Sequence, residues 1–126
     1  MNLRHVSPSA CALLLLLLAA PAHAQVCDAR SSLSQITREN LQRAATDGDF
    51  PTAQDYSDRG RRNLDQLAAT AGRCDCPAAQ SRFEAAATVM RRTPDTENRK
   101  DLRAVVTQAT ATFDDGMGKL KECAKR

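Results

Sequence analysis

The chain predicts an all-α fold, a four-helix up-and-down antiparallel bundle with two disulfides at one end. Apolar residues recur at spacings of three and four through most of the chain after residue 27. Helix start and stop signals cut that pattern into four segments with short connections, which favours antiparallel neighbours. Cys27, Cys74, Cys76 and Cys123 fall at the start, middle and end of those segments. An up-down-up-down path brings all four thiols to the same end.

The first 24 residues stand outside this pattern. Arg4 supplies a positive start, Leu13 to Leu18 form an unbroken leucine run, and Ala22-His23-Ala24 is a small-x-small cleavage site. Together they read as a cleaved secretory signal peptide over 1–24, followed by a single disulfide-stapled helical domain over 25–126 that begins at Gln25. The leucine run is too short to span a bilayer, and no second run of about 18 apolar residues follows. The expected location is therefore periplasmic or secreted, with no stable membrane anchor after cleavage.

The first helix is expected from about Asp28 to Asp47, with Asp28 as N-cap, an apolar face of Leu33, Ile36, Leu41, Ala44 and Ala45, and Gly48 as its stop. The second starts after Asp49-Phe50-Pro51, with Asp49 as cap and Pro51 in the first turn, where a missing N–H costs nothing. Ala53, Tyr56, Gly60, Leu64, Leu67 and Ala71 form its seam, and Gly60 admits a close neighbour. Gly72 and Arg73 close it. Residues 45–53, Ala-Thr-Asp-Gly-Asp-Phe-Pro-Thr-Ala, resemble the inter-helix turn of tetratricopeptide repeats. The second helix is longer than such a repeat allows and no second copy exists, so the likeness is read as shared helix–turn–helix chemistry.

Pro77 opens the third helix, whose inward positions are Ala79, Phe83, Ala86, Ala87 and Met90; Arg91 and Arg92 complement the dipole at its C-terminus. Thr93-Pro94-Asp95-Thr96 is the next turn. The fourth helix carries Leu102, Val106, Ala109, Phe113, Met117 and Leu120 towards Cys123, with a kink or frayed stretch expected at Gly116 and Gly118.

Three disulfide connectivities are open. Cys27–Cys74 with Cys76–Cys123 joins sequential neighbours and is favoured. Cys27–Cys76 with Cys74–Cys123 crosses the diagonals. Cys27–Cys123 with Cys74–Cys76 closes the chain ends and leaves a small strained ring. That last arrangement would suit thiol–disulfide exchange, with the start of the third helix lowering the Cys76 pKa. An even cysteine count in an exported chain otherwise reads as structural.

Without the signal segment the chain has 17 basic and 15 acidic residues, a balance that does not call for nucleic acid; export argues against it. Both histidines, His5 and His23, lie in the signal segment. This removes histidine-based nucleophiles and His-bearing zinc sites, and no Gly-rich phosphate loop or Ca²⁺ loop is present. No catalytic, cofactor-binding or metal-binding residue is expected. Glu39–Arg43, Asp55–Arg59 and Asp58–Arg62 have the spacing of surface ion pairs. The expected role is non-enzymatic, binding a protein partner or serving as an envelope accessory; the alternative is a thiol–disulfide protein acting through Cys74 and Cys76.

Overall fold

The computed structural model describes residues 27–29 and 31–125; the expected signal segment and Gln25 lie outside them. The described residues form four α-helices and no strand: α1 (Ser32–Thr46), α2 (Phe50–Arg73), α3 (Pro77–Met90) and α4 (Arg99–Ala124), with a 3₁₀ turn at Thr93–Asp95 before α4. Helix α1 packs on α2, α2 on α3 and α3 on α4, and α1 also meets α4 over a shorter contact.

Helix α1 begins later than its sequence suggests. Ser31, not Asp28, is the N-cap, its hydroxyl accepting from the Ser34 N–H at 3.3 Å. The Ser31 N–H in turn donates to the Asp28 carbonyl at 3.0 Å, so Cys27 and Asp28 sit in a turn ahead of the helix. At the other end Asp47 is the extended C-cap, and Gly48 has no positive φ, so it is not a left-handed stop. The buried face also differs. It comprises Ser34, Thr37, Asn40, Leu41 and Ala44, whereas Ile36 is 48% exposed. Ile36 lies roughly 100° around the helix from the Leu41–Ala44 stripe, beyond the reach of the core. Polar groups fill the inner positions because each finds a partner. The Thr37 hydroxyl donates to the Leu33 carbonyl at 2.6 Å, and Asn40 Nδ2 donates to Asn63 Oδ1 of α2 at 2.7 Å.

Helix α2 is capped by Asp49, which accepts from the Thr52 N–H at 3.1 Å and from the Thr52 hydroxyl. These bonds hold the Asp49 carboxyl below its usual value, with the Thr52 side chain the larger cause. Ala53, Gly60, Leu64, Leu67 and Ala71 are buried along one seam, joined by Ser57 and Ala68. At Gly60 a Cβ would stand 3.2 Å from Leu41 Cδ2, so this glycine lets α1 come close. Ala79, Phe83, Ala86, Ala87 and Met90 of α3 are all buried.

Helix α4 runs unbroken through Gly116 and Gly118. Gly116 is a contact point, not a break. A Cβ there would lie 2.7 Å from Phe83 Cε1, so the Phe83 ring occupies the space a side chain would need. Phe83 and Phe113 form the centre of the core, with ring centroids 6.1 Å apart.

Cys27 is bonded to Cys74 and Cys76 to Cys123. Two disulfides suit an oxidising, extracellular-type environment. No helix among the described residues is long and apolar enough to cross a membrane.

Candidate functional site

The four cysteines meet around one turn. Cys74 is the C-cap of α2 and Cys76 the N-cap of α3. Between them Asp75 adopts φ 60°, the only positive φ among the described non-glycine residues. The hydrogen bonds identify a Schellman turn: the Cys76 N–H donates to the Ala71 carbonyl at 2.9 Å, and the Asp75 N–H to the Gly72 carbonyl at 3.1 Å. Sequence reasoning placed the stop at Gly72 and Arg73 and missed Asp75, because the left-handed position usually holds glycine; short polar side chains are the known exceptions.

That turn directs the two cysteines to different helices. Cys74 reaches back to the lead-in of α1, with Cα atoms 5.8 Å apart, and Cys76 reaches the last turn of α4, at 6.0 Å. Neither the Cys74–Cys76 ring nor the diagonal pairing forms. Cys76 is 4% exposed, and its bond with Cys123 lines a depression of about 100 Å³ together with Lys119, Pro77 and Ala79. Cys74 and Cys76 are not bonded to each other; each is committed to a separate helix.

The other notable geometry lies where α1 meets α4. Two grooves follow each other along this seam. One, of about 360 Å³, has Leu41, Ala45 and Ala111 among its walls, with Gln42, Thr107 and Thr110 beside them. The other, of about 340 Å³, is bounded by Ala29, Met117, Gln35 and Lys121. Arg38 bridges the seam between them. Its guanidinium lies 4.9 Å from the Phe113 ring centroid and pairs with Asp114 at 2.8 Å. Arg103 Nε crosses the same seam to the Ala45 carbonyl at 3.1 Å.

Sequence periodicity did not single out the groove residues, for an identifiable reason. Thr107 and Thr110 sit one residue off the Leu102–Val106–Ala109–Phe113 stripe and Ala111 two residues off it, where the pattern predicts only solvated positions. The signal lay in their size and chemistry: small and hydroxylated residues where long charged ones are usual on an exposed face.

The outer faces of α1 and α2 carry ion pairs. Arg59 meets Asp55 at 2.8 Å, Arg62 meets Asp58 at 3.0 Å, and Arg61 reaches both Asp58 and Asp65. The Arg59–Arg62 cluster is thus a solvated ion-pair ladder along α2. Glu39 and Arg43 pair at 2.8 Å. Arg43 also donates to the Tyr56 hydroxyl at 2.9 Å, and that bond, with the Glu39 carboxylate nearby, raises its pKa above the usual arginine value. Among the described residues no cluster of three His, Cys, Asp or Glu is placed to hold a metal ion. No protein-family model, curated protein or solved structure matches the chain.

Proposed function

We propose that this chain is a small exported protein, periplasmic or secreted, that works without catalysis by binding a protein partner. Export rests on the signal-like segment 1–24, and two disulfides suit the compartment it would lead to. The architecture is read as an up-and-down antiparallel bundle with its staples at one end. Supporting this, each helix packs on its neighbour in sequence, the first and last helices meet, and the two bonds leave from residues two apart.

The observation that carries the binding role is the α1–α4 seam. This seam carries two consecutive grooves with aliphatic walls, whereas the groove of about 540 Å³ between α2 and α3 is walled mainly by polar and charged side chains, Asp65, Gln80, Glu84, Thr88 and Arg91. Aliphatic walls edged with amide, hydroxyl and charged groups (Arg38, Glu39, Asp114 and Lys121) suit a protein segment that seats a small aliphatic side chain and makes polar contacts along the rim.

The test is capture of partners on immobilised mature protein, run in parallel with the variants Ala111→Arg and Gln42→Arg. Both positions are exposed, so the fold should be unaffected and helix content and thiol count should match the parent. The expected result is a partner retained by the parent and lost by both variants. A partner held equally by all three would remove the seam from the proposal. No specific partner at micromolar protein would remove the binding role itself.

A further inference from the structure

We infer that α1 is a latched helix, able to swing as a unit away from α2–α4 about residues 47–49 once the Cys27–Cys74 bond is broken by a dithiol.

The core is distributed unevenly. Of the nineteen buried apolar residues among those described, only Leu41 and Ala44 belong to α1. The others lie on α2, α3 and α4 or at Cys76, and the second disulfide ties the start of α3 to the end of α4. Helices α2–α4 therefore hold most of the core and a covalent staple without any help from α1.

Beyond Leu41, Ala44 and the partly buried Leu33 and Ala45, the contacts that α1 makes are polar. Asn40 pairs with Asn63, Arg43 with Tyr56, and Arg38 with Asp114, while Arg103 reaches the Ala45 carbonyl. Buried Ser34 and Thr37 bond within α1 or its cap, so they stay satisfied whether or not the helix is docked. The Arg38 and Asp114 side chains are 45% and 52% exposed, so water would replace their pairing at little cost. Undocking thus strands few polar groups. The apolar loss is confined to Leu41, which lies against Gly60, to Ala44, and to the partly buried Leu33 and Ala45.

Such a helix needs a tether, and the Cys27–Cys74 bond supplies it by holding the α1 lead-in to the C-cap of α2. Its far end continues through Asp47-Gly48-Asp49, where the backbone is extended at Asp47 and a side chain at Gly48 would meet nothing within 4 Å. Chemically the release is two successive thiol–disulfide exchanges. One thiolate of a dithiol attacks the Cys27–Cys74 bond, forming a mixed disulfide with one cysteine and releasing the other as a thiol. The second thiol of the reagent then displaces the remaining cysteine, so that two electrons and two protons reach the Cys27 and Cys74 sulfurs and the reagent leaves as its own disulfide. The inference does not rest on a partner occupying the α1–α4 seam.

Hydrogen exchange read by mass spectrometry on the mature chain tests it. In the Cys27→Ser/Cys74→Ser variant, peptides from α1 should exchange about tenfold faster or more, while those from α3 and α4 stay within about twofold of the parent. The Cys76→Ser/Cys123→Ser variant should show no such bias towards α1. Uniform acceleration across all four helices, or none, would overturn the latch. The unaltered oxidised protein gives a measurement that does not depend on how the variants fold. In low urea, α1 amides should open at a lower concentration than those of α2–α4. A single common opening for all four helices would overturn the inference.

Discussion

Gly116 and Gly118 are two residues apart in the same unbroken helix, yet alanine should act on them in opposite directions. Each substitution removes a mid-helix glycine, a gain of about 0.8–1 kcal/mol from helix propensity. At Gly118 a Cβ meets nothing within 4 Å, so that gain stands alone. At Gly116 the same Cβ would lie 2.7 Å from Cε1 and 2.9 Å from Cδ1 of Phe83, and 3.2 Å from Arg82 Cβ. The Phe83 ring has no exposed surface and packs on Phe113, so it has no open direction in which to yield. Forcing a methyl into such a site costs about 1–3 kcal/mol. The Gly116→Ala protein should thus end near or below the parent, and about 1–3 kcal/mol below Gly118→Ala. The difference between the variants is the quantity to trust, because both stiffen the unfolded chain equally. Urea denaturation of the oxidised proteins measures it directly, and thermal unfolding should separate them by roughly 4–8 °C per kcal/mol. A Phe83→Leu background should shrink the gap, since the clash is with the ring edge. Equal stabilisation by both alanines would refute the reasoning, as it would mean that Gly116 does not face a fixed ring.

Asp75→Gly should stabilise the protein by up to about 1 kcal/mol, because glycine takes the left-handed position without a Cβ penalty; an unchanged urea midpoint would count against the Schellman turn at Cys74–Cys76. Asn63→Ala should cost about 1–3 kcal/mol, as it leaves the buried Asn40 amide without its partner, and chemical denaturation of this variant beside Asn40→Ala would show whether the two share one interaction. Asp49 has a folded-state pKa below its unfolded value, so its contribution is present above the ordinary carboxylate range and is lost as pH falls through the lowered value. Asp49→Asn keeps a capping oxygen but cannot titrate, so its stability should fall less than the parent's between about pH 5 and pH 2, and identical acid profiles would rule out a role for the Asp49 charge.

Much of the fold follows from local pattern. The α2 cap at Asp49, the start of α3 at Pro77 and the stripes of α3 and α4 depend on interactions within a few residues, and the sequence carries them openly. The Glu39–Arg43, Asp55–Arg59 and Asp58–Arg62 pairs are legible for the same reason, since one helical turn fixes their spacing. Helix α1 is where local pattern misleads. Its hydrophobic residues suggest a face through Ile36, but the buried face runs through Ser34, Thr37 and Asn40. Those residues are acceptable inside only because Asn63 lies opposite and the Leu33 carbonyl accepts from Thr37, and the Asn63 contact crosses 23 residues of chain.

By itself, the sequence determined that the chain is helical, where most helices start and stop, and that its cysteines suit an oxidising compartment, because hydrophobic period, capping chemistry and thiol count are properties of short stretches. Only the tertiary structure decided that Gly116 is a seat for the Phe83 ring, that Asp75 supports the turn sending Cys74 and Cys76 to separate helices, and that two grooves follow each other between α1 and α4. Each of these depends on what stands across a helix interface. Spacing along one strand of chain fixes which face a residue occupies, but the shape of the neighbour that meets it is set by residues far away in sequence.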